Sequence, residues 1–226
     1  MNYKDFEKTI SAPRMSRYKI ACNGNTRKAM TLYRLNLRLS QELFTIVGCF
    51  EIALRNAIDH HYSKEHGIDW LKNAAGPTGM FNSRICGKTP YIIAEAARRL
   101  TNYSHPKLIA EMDFGFWRYL FAKHQFRIAG QSLLKIFPSK PKSSKQHNYN
   151  DKFIFDELEK INNLRNRIAH HEPVCFELGT AIKNTKYSRD HYQLIIQLFQ
   201  WMDIDHSSLL YGLDHVIEVC NKMDNL

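Results

Sequence analysis

Residues 164–171 read Leu164-Arg165-Asn166-Arg167-Ile168-Ala169-His170-His171, and the same pattern stands earlier as Leu54-Arg55-Asn56-Ala57-Ile58-Asp59-His60-His61. Both copies follow L-R-N-x-I-x-H-H, and chance poorly explains a repeat of that length. The Leu and Ile of each copy are four residues apart, so they share one face of a helix. Apolar residues on either side continue this helical spacing. Each copy is therefore predicted to lie on a helix that is anchored in a core.

The polar residues of each copy form an edge on the same helix. Asn56 faces His60, and Asn166 faces His170, because each pair is four residues apart. The Arg before each Asn has a stem long enough to bring its guanidinium towards that edge. Pro173 should end the second helix, which places its imidazoles in the last turn or just beyond it. The negative pole of the helix dipole there favours a protonated imidazole.

This set of side chains suits cleavage of RNA. Arg can bind a phosphate and stabilise the charge that builds on its oxygens. His can take a proton from a ribose 2′-hydroxyl or give one to the leaving 5′-oxygen, and Asn can hold the ring or the phosphate. The nucleophile belongs to RNA itself, so the reaction needs no metal and no cofactor. The predicted catalytic residues are Arg55, Asn56, His60, Arg165, Asn166 and His170, with His61 and His171 as predicted RNA-binding residues.

Other interpretations of the same residues stay open. A helix with Arg and His on one side can be a solvated charged face, and Asp59 is placed to pair with Arg55 four residues earlier. A metal site is not favoured, because adjacent histidines point about 100° apart on a helix and H-x-x-x-H spacing is missing. No phosphate-binding glycine-rich loop and no G-x-S-x-G turn is present.

The chain resembles the HEPN superfamily, whose motif is an Arg and a polar residue followed by His on a helix. More narrowly, it resembles the Abi-like, abortive-infection family related to AbiD and AbiF. The segments that carry this resemblance are Leu32–Asn36, Phe50–Asn56, Phe114–Trp117 and Leu164–Pro173. The similarity extends from about Ser11 to beyond residue 200.

The resemblance implies an all-α, HEPN-like helical bundle with additional helices. It also implies metal-independent RNA cleavage that leaves a cyclic phosphate, in antiphage defence or as a toxin. A small structured RNA is an expected regulatory partner in such a family. The two motifs could form one site within a chain, or one motif could pair across a homodimer. A non-catalytic protein that holds a regulatory RNA is the alternative function.

Composition supports a folded protein with polyanionic partners. The 226 residues are 44% hydrophobic and 12% aromatic, and they carry a net charge of +10. This predicts a single domain over residues 1–226, in which residues 1–25 form a possible N-terminal helical arm. The five scattered cysteines include no C-x-x-C pair, which indicates buried thiols in the cytoplasm. Neither a signal peptide nor a membrane span is expected.

Local signals predict the order of the helices. Residues 3–23 should form one or two helices broken at Ala12-Pro13, where the basic arm is either an RNA-contacting lip or a solvated face. Thr26 should cap a helix that stops before a second one begins at Ser40. Thr89-Pro90 should start a helix, and Asn150 or Asp151 should start the helix of the second motif.

Several further segments have predicted roles. The face of the helix after Pro90 should bury Ile92, Ile93, Ala96, Ala97 and Leu100. The aromatic residues of 114–121 should belong to the core rather than stack on RNA. Residues 138–147 should be a loop that either grips an RNA backbone through Lys140, Lys142 and Lys145 or is a plain linker. Residues 188–203 and 207–222 should be the closing helices.

Overall fold

The computed structural model describes residues 1–226 and is all-α, which confirms the predicted class. The only β contact is one antiparallel bridge between Phe176 and Lys183. Two short 3-10 helices cover Arg84–Cys86 and Leu133–Ile136. The α-helices are α1 (Tyr3–Ile10), α2 (Ala12–Ala21), α3 (Thr26–His66), α4 (Trp70–Ala74), α5 (Thr89–Arg99), α6 (His105–Glu111), α7 (Phe114–Tyr119), α8 (Lys123–Ile128), α9 (Asp151–Ala169), α10 (Lys186–Trp201), α11 (His206–Leu209) and α12 (Val216–Asp224).

The longest element is α3, a continuous helix of 41 residues. The predicted break at Ser40 is therefore wrong. Serine favours a helix start only where a free backbone N–H needs a partner, and the buried stripe of Leu39, Leu43 and Ile46 continues without a change of phase. The helix begins at the predicted place, but the side chain of Asn25 caps it by accepting a 3.0 Å hydrogen bond from the backbone of Lys28.

The chain divides into two compact units. Unit 1 comprises residues 1–48, 163–197 and 206–226, and unit 2 comprises residues 49–162 and 198–205. The boundary between residues 48 and 49 falls inside α3, and the boundary between residues 162 and 163 falls inside α9.

Unit 1 contains the N-terminal arm, where α1 and α2 are separated by Ser11. The backbone of Ser11 adopts φ +94°, so the break lies one residue before the predicted one. The arm has an aromatic core in which the ring centroid of Tyr18 lies 5.2 Å from that of Tyr33 and 5.0 Å from that of Phe176. The arm is thus a packed part of unit 1.

Unit 2 buries the aromatic residues of α7 and its surroundings, as predicted. Phe114, Phe116, Trp117, Leu120 and Phe121 are all buried. Helix α5 begins at Thr89 as expected and buries Ile93 and Ala96. The prediction for Ile92 is wrong, because 42% of that residue is exposed.

The predicted closing helix over residues 207–222 is also wrong, because the structure has α11 and α12 in its place. Gly212 lies between them at φ +72°, a backbone conformation that ends a helix and suits glycine. No helix of the chain combines the length and apolar character that a membrane span requires.

Candidate active site

The second motif lies near the end of α9, in unit 1. Leu164 is fully buried and Ile168 nearly so, which confirms the predicted core face. Arg165 and Asn166 are half-buried, whereas His170 is exposed. The buried face of α9 therefore carries Leu164 and Ile168, and the polar residues of the motif lie outside the core.

Both imidazoles of this copy come directly after the last helical residue, Ala169, as predicted. The N–H of His171 donates to the carbonyl of Ile168 at 2.9 Å, and the N–H of Glu172 donates to that of Arg167 at 2.8 Å. These two bonds form a Schellman motif, in which His171 takes the left-handed position with φ +55°. Glycine is the usual residue there, so an exposed His in that position is unusual.

Arg167 holds the segment that follows the imidazoles. Its Nη2 donates a 2.6 Å hydrogen bond to the carbonyl of Pro173, and its guanidinium lies 4.3 Å from the ring centroid of Tyr187. Its Nε is 3.4 Å from a carboxylate oxygen of Glu172. Sequence reasoning gave Arg167 no role, because it occupies a variable position of the motif and its partners include a residue on α10.

The chain just after Pro173 is fixed by two buried polar side chains. The N–H of Val174 donates to Oδ1 of Asn36 at 2.9 Å, and the hydroxyl of Ser188 donates to the carbonyl of Val174 at 2.8 Å. Asn36 belongs to the segment Leu32–Asn36, one of those that carried the family resemblance. The side-chain oxygen of Asn36 thus satisfies a backbone N–H that would otherwise be buried without a partner.

The first motif lies within α3, in unit 2. Leu54 and Ile58 are fully buried, while Asn56 and His60 are exposed. Arg55 is half-buried, and its Nε is sealed from solvent without a hydrogen bond. Because α3 continues to His66, His60 stands inside the helix and not at its end, unlike His170.

Asp59 serves as an acceptor for three other residues of unit 2. It accepts hydrogen bonds from Nε1 of Trp70 at 2.8 Å and from the hydroxyl of Ser63 at 3.2 Å, and it lies 2.6 Å from Nε2 of His105. No ion pair joins it to Arg55, so the alternative in which Asp59 simply neutralises that guanidinium is wrong. This carboxylate instead links α3 to α4 and α6.

His61 and His171 differ, although they occupy the same motif position. Nε2 of His61 is 2.8 Å from the hydroxyl of Ser132, and that hydroxyl donates to Glu65 at 2.6 Å. Burial lowers the pKa of His61, and the nearby carboxylate of Glu65 only partly opposes this effect. The hydrogen bond from Ser132 is the main reason that the pKa of Glu65 lies below its ordinary value.

The three predicted RNA-binding lysines lie in a segment without helix, residues 138–147, as expected. Lys142 and Lys145 are exposed and Lys140 is half-buried. The hydroxyl of Ser144 accepts hydrogen bonds from the backbone of Gln146 and His147, so the segment forms an ordered turn. No group of three or more His, Cys, Asp or Glu side chains in the chain is arranged to hold a metal ion.

These features define an all-α protein that presents a repeated Arg-Asn-His helix edge. The model of the family described as "Abi-like protein" matches residues 2–175, which include both copies of the motif. The chain therefore belongs to the Abi-like protein family. No curated protein and no solved structure gives a significant match.

Proposed function

We propose that this protein is a metal-independent endoribonuclease of the HEPN type that cleaves RNA by attack of a 2′-hydroxyl. The observation that carries the proposal is the exposure and the ion pairing of the His and Arg side chains on the two helix edges. His60 and His170 are exposed, and neither of them nor Arg165 forms an ion pair with a carboxylate. Their charges and protons are available to a ligand, and a polyanion is the natural ligand of such groups.

The chemistry follows from the residue types. The imidazole of His170 takes the proton of the 2′-hydroxyl as its oxygen bonds to phosphorus, and a protonated imidazole supplies a proton to the departing 5′-oxygen. Arg165 binds the non-bridging oxygens, whose negative charge increases in the transition state. Asn166, four residues before His170, holds the ring or the phosphate. The products are a 2′,3′-cyclic phosphate and a 5′-hydroxyl.

Family membership supports a role in abortive infection, in which cleavage of cellular or phage RNA in the cytoplasm would stop phage growth or act as a toxin. The net charge of +10 favours RNA both as a substrate and as a regulatory partner. The first motif supplies a second Arg-Asn-His set, Arg55, Asn56 and His60, and the proposal assigns it the same type of role.

Separate Arg165→Ala and His170→Ala variants test the proposal. Each should abolish cleavage of a labelled RNA in EDTA-containing buffer, together with toxicity on expression. Arg98→Ala and His206→Ala are suitable controls, because they remove the same side-chain types elsewhere. Parental activity in both site variants would refute the assignment, and mass spectrometry should find the cyclic phosphate.

The alternative is an RNA-binding protein without catalysis that holds a regulatory RNA. It predicts filter-bound RNA whose affinity falls steeply with salt while no cleaved product forms. In that case Arg165→Ala would weaken binding, and a DNA copy of the oligonucleotide would show whether the 2′-hydroxyl contributes.

A further inference from the structure

The outward face of α3 carries a row of large apolar side chains. Leu37, Phe44 and Ile52 are 46%, 49% and 49% exposed, and exposed Gln41 and half-buried Gly48 lie between them. Successive spacings of four, three, four and four residues place all five on one outward stripe of a single continuous helix. The stripe is about 22 Å long, because each helical residue adds about 1.5 Å. A contiguous apolar surface of this kind marks an interaction site.

Gly48 lies near the middle of the outward stripe. A glycine inside a helix is destabilising relative to alanine. A Cβ added at Gly48 would meet no atom of the chain within 4 Å, so packing inside the chain does not require glycine there. The missing side chain instead leaves room for the close approach of another backbone. We infer that the outward stripe is the contact of a weak homodimer, in which two copies of α3 cross antiparallel at Gly48.

The outward stripe is complementary to itself about Gly48. Phe44 and Ile52 each lie four residues from the glycine, on opposite sides of it. When two antiparallel copies of the helix cross at Gly48, Phe44 of each copy therefore meets Ile52 of the other. This is the pairing that a two-fold contact between identical chains requires, since each residue and its partner exchange places between the copies. A second copy of the chain thus fits the stripe without any further element.

The contact places the second copy beside the first motif without joining the two first motifs. Gln41 and Arg55 are both seven residues from Gly48, so Gln41 of each copy faces Arg55 of the other. The two copies of Arg55 are then about 21 Å apart along the helices, and the two copies of His60 are about 36 Å apart. One phosphate cannot span those distances. This dimer therefore differs from one in which a motif pairs with its own copy.

Area and charge both indicate a weak dimer. Three half-exposed side chains per copy supply less contact area than the roughly 1,200–2,000 Å² of stable complexes. Each copy also carries a net charge of +10, so the copies repel each other, and salt screens that repulsion. The dissociation constant should therefore lie in the micromolar range and should fall as salt is added. Binding of RNA should change in the opposite direction.

Sedimentation velocity of the full chain over the micromolar range tests this inference. The sedimentation coefficient should rise with concentration to that of a dimer and no further, because a two-fold contact closes on itself. Added salt should move the transition to lower concentration. A monomer at every concentration, or species larger than a dimer, would overturn the inference. No RNA is cleaved in this measurement, so its failure is distinct from failure of the proposed ribonuclease.

Substitutions on the outward stripe locate the contact. Ile52→Ser should raise the dissociation constant at least about tenfold, because the symmetry removes two buried side chains from each dimer. Phe44→Ser should have a similar effect. Ile68→Ser is the matched control, since Ile68 is 76% exposed and lies outside α3, and it should leave dimerisation unchanged. Equal effects of Ile52→Ser and Ile68→Ser would overturn the assignment of this face.

Gly48 itself provides a test with two readouts of opposite sign. Gly48→Ala should raise the melting temperature of the dilute monomer, because alanine favours helix and its Cβ meets nothing in the chain. The same substitution should weaken the dimer, because the methyl group keeps the two helices apart. A more stable monomer with unchanged dimerisation would overturn the crossing at Gly48.

A cross-link tests the two-fold axis directly. In a Cys49→Ser background, Gly48→Cys should form a disulfide between two chains when a small-molecule disulfide is the oxidant, because the two substituted positions meet at the crossing. Lys64→Cys, at an exposed position of α3, is the control. Its two copies would be about 48 Å apart along the helices and should not cross-link. Equal cross-linking of the two variants would overturn the antiparallel crossing.

Discussion

Nη1 of Arg14 donates a 2.8 Å hydrogen bond to the carbonyl oxygen of His171, which joins the N-terminal arm to the end of the second motif. Three residues further along α2, the guanidinium of Arg17 lies 5.0 Å from the ring centroid of Phe176 and donates to the carbonyl of Thr180. The sequence alone allows the basic arm to be either an RNA-contacting lip or a solvated face. In the structure, two of its cations instead hold the chain that follows the motif.

Replacing Arg14 should therefore loosen the segment that carries the imidazoles. Arg14→Ala removes a donor to an exposed carbonyl, so the free energy of unfolding should fall by only about 0.5–1 kcal/mol. Hydrogen–deuterium exchange of a peptide over residues 168–176 should nevertheless accelerate. Lys8→Ala, another exposed cation of the arm, should leave that exchange unchanged. Identical protection in the Arg14 variant would mean that this bond does not order the motif.

The left-handed backbone of His171 should cost stability. At φ +55° a side chain is disfavoured, so His171→Gly should be more stable than His171→Ala by about 1 kcal/mol. Both variants lack the imidazole, so the comparison isolates the backbone from any RNA contact. Urea denaturation of the two variants measures the difference. If alanine proved as stable as glycine, the backbone at this position would not be strained.

Asp59 should be a key stabilising residue of unit 2. Asp59→Ala leaves the indole N–H of Trp70 and the nearly buried ring of His105 without their acceptor, which should cost about 2–4 kcal/mol of unfolding free energy. Asp59→Asn keeps an acceptor oxygen but loses the charge, so it should cost less. Asp190→Ala, which removes an exposed ion pair with Lys186, should change stability by less than about 1 kcal/mol. Equal losses for Asp59→Ala and Asp190→Ala in chemical denaturation would contradict this assignment.

Local sequence signals predicted the helices well where each signal has a local cause. Thr89-Pro90 starts α5, Asn150 caps α9, and the Leu–Ile spacing identified the buried face of each motif, because periodicity and capping act within a few residues. The break expected at Ser40 is absent from the structure, because the preference of serine for a helix start is weak. A weak local preference yields to a continuous buried stripe.

The surroundings of the motifs depend on residues distant in sequence. The acceptor role of Asp59 requires Trp70 and His105, and nothing in the spacing of the motif indicates those partners. The same holds for the stacking of Arg167 on Tyr187. The difference between the two His-His pairs, of which one lies within a helix and the other beyond the end of one, was by contrast predictable, because Pro173 follows only the second copy.

The loop lysines give a prediction about the RNA partner. If Lys140, Lys142 and Lys145 each contact one phosphate, replacing all three with alanine should reduce the slope of log K against log salt by about 2 for single-stranded RNA. Filter binding over a series of salt concentrations measures that slope. Replacing Lys4, Lys8 and Lys107 instead keeps the change in net charge equal. An equal effect of the two triple variants would indicate that residues 138–147 are a plain linker.

Unfolding should become easier in mild acid because of His61. Burial lowers the pKa of His61 from its ordinary value of 6.5, so the unfolded chain binds the proton more readily. The contribution of neutral His61 to the free energy of unfolding is complete above about pH 6.5 and is lost as the pH falls through the pKa of the folded state.

Glu65, whose pKa is lowered chiefly by the hydrogen bond from Ser132, adds a second loss of stability that begins near pH 4.5. Melting temperatures between about pH 8 and pH 3 should therefore fall in two stages. His61→Gln should remove the first stage, whereas the control His124→Gln, at an exposed position, should retain it. A first stage that persists in His61→Gln would assign the acid sensitivity to another group.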